Sequence, residues 1–100
     1  MDAQTEAAFA ALLDEAQQLR ARKNQDYGDS WRDLGALGVF VRWHDKYKRL
    51  RALLWDGRAP QVTGEAIRDT LIDALNYNLM MLHLLDQERG AHGPHHNPSR

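Results

Sequence analysis

Residues 67–85 read IRDTLIDALNYNLMMLHLL, and the fold turns on how this run is interpreted. On an α-helix Asp69, Asp73 and Asn76 fall at i, i+4 and i+7 and share one stripe, while Leu71, Ile72, Leu75, Leu79, Met80, Leu82 and Leu85 wrap the remainder. The run is too apolar for a surface helix, yet it carries two carboxylates and an amide in register. An ionised aspartate in such surroundings costs several kcal/mol unless a cation compensates it, which is comparable with the whole stability of a small domain. The stripe therefore demands a positive partner, either a basic side chain or a metal ion.

Helical periodicity recurs twice upstream, and strand-like alternation bounded by turn residues is nowhere convincing. The class expected is all-α, a three-helix antiparallel bundle. The first helix is expected from about Asp2 or Thr5 to Lys23, with Phe9, Leu12, Leu13, Ala16 and Leu19 on its inner face. Arg20, Arg22 and Lys23 then suit the negative end of its dipole. The Asp-, Gly- and Asn-rich stretch from Asn24 to Gly35 breaks the pattern. A second helix follows from about Ala36 to Trp55, with Val39, Trp43, Tyr47, Leu50 and Leu54 as its buried stripe and Asp56-Gly57 as its stop. Thr63 is placed to cap a third helix that runs to about Glu88, with Gly90 ending it. One domain over residues 1–89 and a disordered tail over 90–100 complete the organisation. Three helices cannot cover a last helix that is apolar nearly all round, so a homodimer through helices 2 and 3 is expected.

Composition excludes several classes. Thirteen Lys and Arg balance fourteen Asp and Glu, so no global field draws the chain to nucleic acid and no extended nucleic-acid surface is expected. The chain has no cysteine, which removes disulfides, thiolate metal sites and cysteine nucleophiles together. No apolar run reaches the roughly 18–20 residues of a membrane span, and residues 1–9, MDAQTEAAF, lack the basic start and apolar core of a secretory signal. No membrane association and a cytoplasmic location are the corresponding expectations. No glycine-rich phosphate loop or serine–histidine arrangement is present. His92, His95 and His96 sit in the tail without a nearby carboxylate to complete a metal site, and His44 and His83 read as helix fillers.

Two features carry chemistry. The segment Lys23-Asn24-Gln25-Asp26-Tyr27-Gly28-Asp29-Ser30-Trp31 reads as a turn in which Tyr27 and Trp31 offer flat faces to a nucleobase. In the same segment Lys23 offers charge to a phosphate, and Asp26 can ligate a metal or accept from a ribose hydroxyl. Its bland counterpart is an Asx-type loop whose aromatics cap the core. Glu65, Asp69 and Asp73 at i, i+4 and i+8, with Asn76 alongside, supply oxygens of the kind magnesium prefers. Arg42, Lys46 and Arg49 form a cationic ridge on helix 2. The ridge either neutralises these acids as structural salt bridges or joins them in holding a metal-bound polyphosphate.

The K-x-x-D-Y-G-D-S-W segment at 23–31, the Lys46–Arg49 pair and E-x-x-x-D-T-L-x-D-x-x-N-Y from Glu65 to Tyr77 together resemble the nucleotide modification associated domain 1 family, over about residues 9–85. That resemblance implies a small all-α protein in a nucleotide context. The last helix also looks like the metal-binding helix of all-α nucleoside triphosphate pyrophosphohydrolases related to MazG, which implies magnesium and a dimer. Those enzymes carry paired glutamates three residues apart on the first helix, where this chain has Asp14, Glu15 and then Gln18. On these readings Glu65, Asp69 and Asp73 hold magnesium, and Lys46, Arg49 and Asp73 act on the phosphates. Lys23, Asp26, Tyr27, Trp31, Arg42, Asn76 and Tyr77 bind the nucleotide. The alternative is a non-catalytic helical dimer serving as a binding or interaction module, its acidic stripe spent on salt bridges.

Overall fold

The computed structural model of the chain describes residues 1–28, 30–57 and 64–91, without the side chains of Asp26, Tyr27, Glu65 and Ala91. The expected Thr63 cap and the tail with its three histidines lie outside the described residues.

Helix α1 spans Ala3–Tyr27. Asp2 caps it, its carboxylate accepting the Thr5 backbone N–H at 2.7 Å, and this bond holds the Asp2 carboxyl below its ordinary value. The helix runs a turn beyond the expected end at Lys23. Nothing in Asn24–Tyr27 forbids helical backbone, and the first residue at positive φ is Gly28 (φ 63), whose N–H closes on the Asn24 carbonyl at 2.7 Å. The segment expected as one turn is therefore half helix.

A 3-10 turn at Ser30–Arg32 leads into α2, Gly35–Leu50, which continues through a π-helical turn at Arg51–Trp55. Asp56 N–H reaches the Arg51 carbonyl at 3.0 Å, and Gly57 (φ 64) ends the element where Asp56-Gly57 was expected to end it. Helix α3 spans Gly64–Ala91 and passes through Gly90 instead of stopping there, since glycine inside a helix costs only about 1 kcal/mol.

The three helices run up, down and up. Arg32 Nη1 donates to Gln87 Oε1 at 3.3 Å near one end of the α2–α3 pair, and Lys46 Nζ lies 3.2 Å from Asp73 Oδ2 further along. Segment Glu15–Lys23 of α1 lies against Arg68–Asn76 of α3. The buried apolar side chains are Ala16, Val39, Ile72 and Leu84, and Thr70 and Asn76 are buried among them. Thr70 Oγ1 donates to the Ala66 carbonyl at 2.8 Å, so its burial leaves no orphan.

Two sequence expectations are corrected by this packing. Phe9, Leu12 and Leu13, expected on an inner face, are exposed; among the described residues the hydrogen bonds and ion pairs that tie α1 to α3 begin at Glu15. Tyr47 and Leu54, expected in the buried stripe of helix 2, are exposed as well, while Trp43 and Leu50 are half-buried. Leu71, Leu79, Leu82 and Leu85 on α3 also keep 40–59 % of their surface. No helix among the described residues is long and apolar enough to cross a membrane.

Candidate functional site

Asp73, midway along α3 and 17 % exposed at its side chain, is the point where all three helices meet. Its Oδ1 lies 3.1 Å from Lys23 Nζ on α1 and its Oδ2 3.2 Å from Lys46 Nζ on α2. For Asp73, the positive partner demanded by the acidic stripe is thus supplied by the fold itself. Asn76, one turn further and 5 % exposed, accepts from Arg20 Nη1 at 2.7 Å and donates through Nδ2 to the Ala16 carbonyl at 3.0 Å. Every buried polar side-chain atom among the described residues has a partner.

Beside these anchors opens a cavity of about 260 Å³, lined by Arg20, Lys23, Asn24, Gly28, Ser30, Trp31, Arg42, Asp73, Asn76, Tyr77 and Met80. Among the described residues, three cations (Arg20, Lys23, Arg42) against one carboxylate (Asp73) leave the lining at a formal +2. Arg42 has no ion pair or hydrogen bond among the described residues, so its guanidinium fork is open to a planar anion. Trp31 is half-buried, with the Arg32 guanidinium 4.6 Å from its ring and the tilted His83 ring at 6.4 Å. A lining that joins guanidinium groups to aromatic rings suits a ligand with an anionic end and a flat end.

Of the residues singled out from the sequence, the structure gathers Lys23, Trp31, Arg42, Asp73, Asn76 and Tyr77 around this cavity, with Lys46 joined through Asp73. Arg49 stands exposed on α2, apart from the lining. Asp69 is exposed and borders a second hollow of about 310 Å³ with Glu15, Leu19, Arg22, Lys23, Ile72 and Asp73. The side chains of Asp26, Tyr27 and Glu65 lie outside the described residues. Arg20 escaped the sequence reading because a basic residue near a helix C-terminus is already accounted for by the dipole. Its place one turn before Lys23 on the same face was the available signal.

Among the described residues, the donor set at the cavity does not fit a magnesium ion. Both oxygens of Asp73 already rest on ammonium groups, and no three His, Asp or Glu side chains gather as a metal centre among the described residues.

Glu15 takes two hydrogen bonds from the Arg68 guanidinium, the longer at 2.7 Å, and these hold its carboxyl below the ordinary glutamate value. A depressed folded-state value adds stability that is present above the ordinary range and lost as pH falls through the folded value. Both partners are about half exposed, so the effect is small. The melting-temperature gap between the native chain and Glu15→Gln should close as the pH falls below the ordinary glutamate range.

Fold and cavity define a small all-α domain with a cationic, aromatic-edged hollow between its helices. The chain belongs to the Nucleotide modification associated domain 1 family, whose profile matches residues 23–85. The match starts at Lys23, later than the residue 9 expected from motifs, and takes in the cavity lining apart from Arg20. No curated protein and no solved structure matches the chain, and the likeness to MazG-related enzymes finds no support in these comparisons.

Proposed function

We propose that this protein is a nucleotide-binding domain that holds phosphate on Arg42, Arg20 and Lys23 and sets the base against Trp31 and Tyr77, with Asp73 and Asn76 as structural anchors. The observation that carries this reading is the Arg42 guanidinium, unpaired among the described residues, in a cavity whose described lining is net positive with aromatic rings at its edge. The name of the family, which speaks of nucleotide modification, supports it. Titration calorimetry with a panel of ribo- and deoxyribonucleotides tests it. Arg42→Ala should weaken binding by about tenfold or more, the loss of one charge-assisted bidentate contact, while the melting temperature barely moves because the side chain is exposed and unpaired. Absence of binding by every nucleotide, or binding indifferent to Arg42, overturns the reading.

A second reading keeps the magnesium-dependent pyrophosphohydrolase on Asp69, which is exposed at the edge of the second hollow and takes no ion pair among the described residues. Pyrophosphate release from deoxynucleoside triphosphates, with and without magnesium, separates the two. Turnover abolished by Asp69→Asn establishes the enzyme, and binding without turnover leaves the binding domain.

A further inference from the structure

We propose that two copies of this chain associate by exchange of the N-terminal half of α1, each laying its acidic, apolar arm on the basic aromatic face of the other's α2. Residues 6–15 are exposed throughout. Phe9, Leu12 and Leu13 continue, at i, i+3 and i+4, the stripe on which Ala16 and Leu19 lie, and Ala16 is fully buried where that stripe meets α3. An established helix–helix contact thus runs on into three large apolar side chains that keep 38–53 % of their surface exposed. Over residues 1–15 the side chains carry Asp2, Glu6, Asp14 and Glu15 and no Lys or Arg, a formal −4.

The outer face of α2 is the complement. Leu37, Phe40, Val41 and Tyr47 stand exposed at helical spacing, with Leu54 and Trp55 prolonging them. Phe40, Trp43 and Tyr47 form a stack with successive centroids 5.8 Å apart and interplanar angles of 19° and 11°. Lys48, Arg49 and Arg51 on this helix are exposed and outside the cavity lining, whereas Arg42 lines the cavity and Lys46 is paired with Asp73. Within one chain no hydrogen bond or ion pair joins residues 1–14 to α2 among the described residues. At roughly 100 Å² left open on each, these apolar side chains supply about the 800 Å² per partner that a stable interface uses. Acid against base and apolar against aromatic select a second copy, and two-fold exchange uses both surfaces of each chain at once.

Sedimentation equilibrium of the full chain should return a dimer, about twice 11.5 kDa. Two charge-reversed variants test the geometry, one in the arm (Glu6→Lys with Asp14→Lys) and one on α2 (Lys48→Glu with Arg51→Glu). All four positions are exposed and outside the cavity lining, and circular dichroism checks that each variant is folded. Each alone should raise the homodimer Kd by at least about tenfold, through like charges placed opposite one another. Mixed in equal amounts they should return to the dimer, since both exchanged contacts then pair opposite charges. A native chain that stays monomeric at about 100 µM, variants that dimerise undiminished, or a mixture that fails to recover overturns the proposal. So does a monomer whose α2 face instead binds a labelled single-stranded oligonucleotide through Lys48 and Arg51.

Discussion

Asn76→Leu is expected to lower stability by about 2–3 kcal/mol, which in a domain of this size is a fall of roughly 10–20 °C in melting temperature. Leucine keeps the branching at Cγ but puts bulkier methyl groups in place of the amide oxygen and nitrogen, so lost bonding and overpacking at a buried position add together. The acceptor of Arg20 disappears from a half-buried guanidinium, and the Ala16 carbonyl loses its Nδ2 donor at a position 5 % exposed. Asn76→Asp separates the two contributions. It keeps and strengthens the acceptor for Arg20 but sets a carboxylate oxygen against the Ala16 carbonyl, so it should fall between the native chain and Asn76→Leu. Thermal unfolding followed by circular dichroism is the measurement, and a melting point for Asn76→Leu within about 2 °C of native would show that the amide anchors nothing.

Asp73→Asn has the second large effect, and its direction separates the proposed readings. Lys23 and Lys46 both lose their counter-charge, at a cost of about 1–2 kcal/mol once the exposure of the lysines is discounted. The lining of the cavity meanwhile rises from a formal +2 to +3, as one negative charge leaves it. If the cavity binds phosphate on cations, nucleotide affinity is held or increases severalfold while the melting temperature drops. If Asp73 belongs to a magnesium-dependent catalytic centre, magnesium-dependent turnover disappears. Calorimetry and pyrophosphate release on the same preparation read both outcomes.

The helices themselves were readable from apolar spacing, and Asp56-Gly57 marked its boundary correctly because it ends the helix with a glycine at positive φ. The segment after Lys23 misled for a related reason. Asn and Asp are read as helix breakers by composition, but inside a final turn they cost little, and the chain turned only at Gly28, where φ becomes positive. The exposed Phe9, Leu12 and Leu13 show a different limit. Periodicity identifies the apolar side of a helix without naming what covers it. At the site, Asp73 announced that it required a positive neighbour, yet Lys23 lies 50 positions away in sequence and only the up-down-up arrangement brings it within 3.1 Å. Arg42 and Lys46 were read as a single ridge facing α3. They part company in space, Lys46 closing on Asp73 and Arg42 remaining open to the cavity.

Ala16 sets a dimension of the molecule. Because a single methyl stands between α1 and α3 at that point, the amide of Asn76 can touch the backbone of the opposite helix directly. The residue behaves as a gauge block for the spacing of α1 and α3, two of the helices whose side chains line the cavity. A bulkier side chain there acts as a jack: Ala16→Val would prise the two rods apart and break the amide clasp in one movement.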